Sequence, residues 1–195
     1  MLGMASLISL ILCLAELPYH QAPIIMLSTN KSIYVIGDSI SAGLGKEKTW
    51  PSILVDVAHL KVTNLAVPGA TVESALDQCA KITESNSLVF VEIGGNNLLG
   101  SIDSKTFYLQ FDKLLGRLKE RNSQIVVFEL PLIPFCNGFG AAQRNLAKKY
   151  DAILIPKHFM TDVFALSGGT LDGLHLSQKG HDALANSIRN LLKIN

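Results

Sequence analysis

From residue 31 onward the chain alternates between short apolar runs and longer amphipathic stretches. The runs are SIYVIG (32–37), KVTNLAV (61–67), SLVFVEI (87–93), QIVVFEL (124–130) and AILIP (152–156). They are rich in β-branched residues, short, and bounded by glycine, proline or polar clusters, so each predicts a strand. The stretches between them predict helices. WPSILVDVAHL (50–60) has Pro51 in its first turn, where the missing N–H has no partner to lose. TVESALDQCAKI (71–82) offers Thr71 and Ser74 as caps. In SKTFYLQFDKLLGRLKER (104–121), Phe107, Phe111, Leu114, Leu115 and Leu118 fall on one face. GAAQRNLAKKY (140–150) is helical. LSQKGHDALANSIRNLLKI (176–194) closes the chain as a helix with Leu184, Ile188, Leu191 and Leu192 facing inward.

Strand–helix alternation is the signature of an α/β domain. The mostly apolar third run suits a central parallel strand, buried on both faces. The expectation is a three-layer α/β/α sandwich on a five-stranded parallel sheet, one domain over residues 31–195. Residues 1–30 stand apart. Leu2 to Ala15 is an uncharged apolar run, short for a membrane span, which needs about 20 residues, but suited to a signal-peptide core. Residues 16–30 read as a connector. The leader predicts an exported protein, periplasmic or secreted, with the segment cleaved or kept as an anchor that associates with a membrane. The alternative is an apolar helix packed on the domain.

Charge narrows the partner. The 17 basic and 16 acidic residues leave a net charge of +1, which excludes the basic footprint of a nucleic-acid binder. A small or neutral ligand fits better. Cys13, Cys79 and Cys136 form no CxxC pair, which argues against a zinc or redox motif. In an oxidising compartment Cys79 and Cys136 could pair; the other reading is two buried free thiols.

In open α/β sheets, ligands bind beyond the carboxyl ends of the strands. Polar and glycine-rich groups recur at those ends: GDS (37–39), AVPGAT with Gly69, and GGNN (94–97). A fourth cluster, LDGLHLS with Asp172 and His175, precedes the last helix. Together they hold the parts of a serine hydrolase. Ser39 is the candidate nucleophile and His175 the candidate base. Asp172, three residues earlier, can reach the imidazole and fix its tautomer. The amides of Ser39 and Gly69 and the side chain of Asn96 are candidate oxyanion donors. His181 competes as base but falls within the last helix. Asp38 reads as a turn residue bonded to nearby backbone. Glu92 and Glu129 sit inside apolar runs without an evident partner. No metal or cofactor is called for.

Four blocks in this order, "GDSISAG", "NLAVPGAT", "IGGNN" and "DGLH", resemble the GDSL, or SGNH, hydrolases, and the resemblance covers nearly all of residues 32 to 194. Within that family the chain looks most like the bacterial lysophospholipase, arylesterase and thioesterase I group. The resemblance implies a flavodoxin-like sheet of strand order 2-1-3-4-5. It implies Ser39, Asp172 and His175 as catalytic residues and Ser39, Gly69 and Asn96 as the oxyanion hole. The partner would be a small-molecule acyl ester or thioester. Two positions depart from the pattern. Asn97 stands where the family usually has aspartate and is expected to organise its loop by hydrogen bonding. Leu176 stands where proline often follows the histidine and is expected, with Leu98, Ile133 and Phe135, to line the acyl site. The same residues would also serve a carbohydrate O-acetylesterase; a non-catalytic, membrane-tethered binding protein is the remaining reading.

Overall fold

The computed structural model describes residues 19–28, 31–58, 60–131 and 137–194. All five predicted strands are present, somewhat shorter than their apolar runs. In chain order the strands are β1 (Ile25–Leu27), β2 (Ile33–Gly37), β3 (Val62–Asn64), β4 (Leu88–Glu92), β5 (Gln124–Phe128), β6 (Ile153–Ile155) and β7 (Leu192–Ile194). The helices are α1 (Ser39–Ala42), α2 (Trp50–Ala58), α3 (Ala75–Ala80), α4 (Gly95–Leu99), α5 (Ser104–Glu120), α6 (Asn137–Lys149), α7 (His158–Ala165) and α8 (Gln178–Leu191).

Strands β3-β2-β4-β5-β6 form a parallel five-stranded sheet, the expected 2-1-3-4-5 order once β1 is set aside. Successive side chains of a strand point to opposite faces, and here both faces are apolar. Ile33, Val35, Leu88, Phe90, Val126 and Phe128 pack on one side against Trp50, Leu54, Leu184 and Ile188. Tyr34, Ile36, Val89, Val91, Ile125 and Val127 pack on the other against Phe107, Phe111, Leu114, Leu115 and Leu118. The periodic stripe of α5 is thus fully buried, each such side chain contributing about 1.5–3 kcal/mol. Asp103 caps α5 by accepting the Thr106 N–H at 2.7 Å.

The chain ends depart from expectation. The last helix stops at Leu191, and residues 192–194 extend to pair in parallel with β1, Ile25 opposite Leu192 and Leu27 opposite Ile194. Strand pairing here overrides a local pattern that fits a helix equally well. The side chain of Gln124 ties this two-stranded sheet to β5 by donating to the Met26 carbonyl at 3.2 Å. Cys79 is a buried free thiol; Cys136 lies outside the described residues. No helix among the described residues is long and apolar enough to cross a membrane, and the apolar run 2–15 lies outside them.

Candidate active site

The site starts where β2 ends. Both backbone groups of Gly37 are clamped by the buried Gln78 side chain, whose Oε1 accepts the Gly37 N–H at 2.9 Å and whose Nε2 donates to its carbonyl at 3.0 Å. A Cβ at Gly37 would lie 2.8 Å from the Ser41 side chain and 2.9 Å from the Glu92 carbonyl, so only glycine fits this crossing. The next residue, Asp38, caps α1, its Oδ1 accepting the Ile40 N–H at 3.0 Å. That agrees with the turn role read from sequence. Ser39 is then the first residue of a single helical turn, and the Asn64 side chain donates to the Ser41 carbonyl of that turn at 2.8 Å.

Two loops flank the serine. After β3, the Val67 carbonyl accepts the Ala70 N–H at 3.1 Å, closing a tight turn whose third residue, Gly69, has φ +76°. Glycine adopts that conformation at no steric cost. No atom lies within 4 Å of where a Gly69 Cβ would be, so the turn faces open space. After β4, Asn96 lies in α4, its Nδ2 donating to the Ala70 carbonyl at 2.9 Å and approaching Asp38 Oδ2 at 3.4 Å. Asn96 therefore joins the Gly69 loop to the Ser39 turn. Among the described residues neither the Ser39 N–H nor the Gly69 N–H is drawn into an internal hydrogen bond. Asn97 is buried and its Oδ1 accepts the Val72 N–H at 2.8 Å, the loop-organising contact expected of it.

The fourth element is the turn before α8. Asp172 Oδ1 accepts the N–H groups of Leu174 at 3.0 Å and His175 at 2.8 Å, while Oδ2 meets His175 Nδ1 at 2.7 Å. Gly173, at φ +91°, permits the tight reversal. The backbone N–H of His175, then its ring and the Leu174 N–H, hold the Asp172 carboxyl well below the usual carboxylate range. The Asp172 side chain is 55% exposed, so this ionisation acts on His175 rather than on fold stability. With Nδ1 engaged, Nε2 is the ring nitrogen left for proton transfer. Among the described residues no hydrogen bond joins Ser39 Oγ to His175, a contact that often tightens only with substrate bound.

A cavity of about 300 Å³ opens over Ser39. Its polar groups are Asp38, Ser39, Glu92 and Asn96; its walls are Ile40, Leu98, Leu99, Leu130, Pro131, Met160, Phe164 and Leu174. Leu98 lines it as expected. Ile133 and Phe135 lie outside the described residues. Leu176 is a correction: it is 3% exposed and packs in the core with Trp50, Leu184 and Ile188, not against the cavity. Its bridge to Thr170 turns it inward, and its side chain abuts Gly180 of α8. Sequence reading missed Met160 and Phe164, four residues apart on α7, an amphipathic spacing that could have revealed the helix. It also missed Leu130 and Pro131, just beyond the carboxyl end of β5.

The unassigned ionisable residues find places. Glu92 accepts the Ser41 hydroxyl at 2.8 Å, and Glu129 is held by Arg144 Nε at 2.6 Å and the Lys157 N–H at 3.0 Å. His181 is fully buried in α8, its Nδ1 accepting the Trp50 N–H at 3.3 Å, and burial lowers its pKa. It is buried in the core and bonded to the start of α2, not set in the cavity over Ser39.

Comparison with known proteins agrees with this fold. The model of the GDSL-like lipase/acylhydrolase family matches residues 35–183. Among solved structures, TesA aligns with a TM-score of 0.73 at 22% identity, covering 83% of this chain and 97% of that one. The psychrotrophic esterase EstA from Pseudoalteromonas sp., in a form inhibited by monoethylphosphonate, aligns with a TM-score of 0.71 at 20% identity, covering 83% and 96%. An acetyl xylan esterase, AlAXEase, aligns with a TM-score of 0.68 at 15% identity, covering 82% and 98%. At such identities these likenesses establish the shared fold. No curated protein matches the sequence.

Proposed function

Because the chain belongs to the GDSL-like lipase/acylhydrolase family and is a carboxylic ester hydrolase, we propose that Ser39, His175 and Asp172 carry its reaction. Ser39 Oγ attacks the acyl carbonyl carbon while His175 Nε2 takes the hydroxyl proton. The carbonyl oxygen becomes an oxyanion, and the proton passes to the departing alcohol or thiol as its bond to the acyl carbon breaks. Water then attacks the acyl-enzyme, again giving its proton to His175, and the acid leaves as Ser39 recovers its proton. Asp172 holds the ring through Nδ1 throughout. The free N–H groups of Ser39 and Gly69 and the Asn96 amide receive the oxyanion, each such donor contributing about 3 kcal/mol. The Asn96 hydrogen near Asp38, in a long 3.4 Å contact, is the one available to the oxyanion.

The preferred substrate is an ester or thioester with an apolar acyl chain, of the lysophospholipase, arylesterase or thioesterase kind. The observation that carries this is the cavity over Ser39, walled by Leu98, Leu99, Leu130, Met160, Phe164 and Leu174. A polar sugar substrate would leave those walls without matching contacts. The apolar run 2–15 supports export of the enzyme; an intact Met1 on soluble protein, read by mass spectrometry, would contradict it.

The test is fluorophosphonate labelling of the protein and of Ser39→Ala, followed by p-nitrophenyl esters from acetate to palmitate. Labelling and turnover that depend on Ser39, with preference for medium or long acyl chains, are the expected result. Preference for acetate would favour carbohydrate O-deacetylation. Absence of Ser39-dependent labelling and turnover would overturn the nucleophile assignment.

A further inference from the structure

The turn that carries Ser39 cannot hold itself. Helix α1 has four residues, and a single helical turn fixes many torsions for few hydrogen bonds. Its position must come from side chains that bind it to the sheet. A buried chain of three groups does this. Trp50 Nε1 donates to Ser41 Oγ at 3.1 Å, and Ser41 Oγ donates to Glu92 Oε2 at 2.8 Å. Trp50 and Ser41 are both inaccessible, and Glu92 is 4% exposed. Glu92 ends β4 directly opposite Gly37 in the sheet register, so a rigid strand end presents its carboxyl to the nucleophile turn. Glu92 is also among the residues that line the cavity over Ser39.

We propose that Glu92 is a positioning residue for the nucleophile: by accepting the Ser41 hydroxyl, with Trp50 behind it, it fixes α1 on β4 and so sets the direction of the Ser39 hydroxyl. The inference rests on the reading of Ser39 as nucleophile. A buried carboxylate would be a costly way to hold a turn, and Glu92 avoids that cost. Its burial, with the charge of Asp38 beside it, pushes its pKa well above the ordinary value, toward the protonated, uncharged form. In that form it accepts the Ser41 hydroxyl as a neutral group. A glutamine amide has the same shape and the same acceptor, which makes the idea testable.

The experiment measures kcat and KM on a p-nitrophenyl ester and the rate of fluorophosphonate labelling, for folded protein verified by circular dichroism. Glu92→Leu and Ser41→Ala each lower kcat and labelling rate about 10- to 100-fold, the effect of a small misplacement of a reacting group, with KM nearly unchanged. Glu92→Gln restores most of the rate. The Ser41→Ala/Glu92→Leu double variant is no slower than the slower single variant, because both changes break one chain of contacts. Wild-type rates in folded Ser41→Ala would overturn the proposal, and this variant decides the matter if Glu92→Leu fails to fold. A Glu92→Gln enzyme as slow as Glu92→Leu would overturn the neutral-acceptor role. Failure of the wild-type protein to label at Ser39 would instead strike the nucleophile assignment itself.

Discussion

Replacing Asp38 by asparagine should make the protein more stable at neutral and alkaline pH. Asp38 is buried at the head of α1, where burial is the main cause that raises its pKa to about 6 from an ordinary 3.8. That gap corresponds to about 3 kcal/mol. Between those two pH values the native protein keeps a proton that the unfolded chain releases, so stability falls as pH rises through the interval. Above pH 6 the whole deficit is present; below the unfolded value it is gone. Asparagine caps helices as well as aspartate and does not titrate. It does lose the long acceptor contact to Asn96, at about 1 kcal/mol. The net gain at pH 8 is then about 2 kcal/mol, which raises Tm by about 4–8 °C in a chain of this size. Removing the Asp38 charge also relieves Glu92, which that charge pushes upward, so the second effect has the same sign. Urea unfolding of both proteins at pH 4 and pH 8 is the assay. The advantage of the variant should shrink by about 2–3 kcal/mol on acidification. An advantage that is the same at both pH values, or a loss at pH 8, would refute the argument from buried charge.

Asp172→Asn should fold normally, since the carboxyl is half exposed, yet lower kcat about 10³- to 10⁴-fold by presenting the wrong imidazole tautomer; steady-state kinetics reads this directly. Gly69→Ala meets no steric neighbour and should cost only the left-handed backbone penalty, about 1–2 kcal/mol in chemical denaturation, with a further loss of kcat if the Gly69 N–H is displaced. Arg144→Met leaves the buried Glu129 carboxylate without its guanidinium and should cost about 3 kcal/mol or more in urea unfolding; the Glu129→Gln/Arg144→Met pair should recover part of it.

Much of this architecture is legible in the chain because its signals are local and repeated. The five apolar runs are strands, and the stripe from Phe107 to Leu118 is the buried face of α5. The blocks around Ser39, Gly69 and Asn96 sit at strand ends, which parallel topology brings to one edge, and the block with His175 lies in the turn before the last helix. What escaped reading depends on contacts between distant residues. Strands β1 and β7 have three residues each, too few for any period to declare itself, and Leu192 satisfies a helical pattern until Ile25 claims it. The partners of Glu92 and Glu129 follow from sheet register and from α6, not from spacing along the chain. Leu176 was expected at the acyl site because it follows His175, yet the bridge from Thr170 turns it into the core. The cavity walls on α7 went unseen because a short helix with one polar turn reads as loop.

The pairing of β1 with β7 has a mechanical consequence. The strands run parallel, so the start of β1 lies beside the start of β7, and Leu27 and Ile194 meet at the other end. A tension applied at the residue entering β1 and at the residue leaving β7 pulls the two strands along their length in opposite directions. Their hydrogen bonds are then strained together in shear instead of parting one after another like a zipper. A handle attached beyond Ile194 and a tether attached ahead of Ile24 would therefore meet their first resistance in this clasp, with the Gln124 link to β5 beside it, before any load reached the strands that carry Ser39 and Asn96.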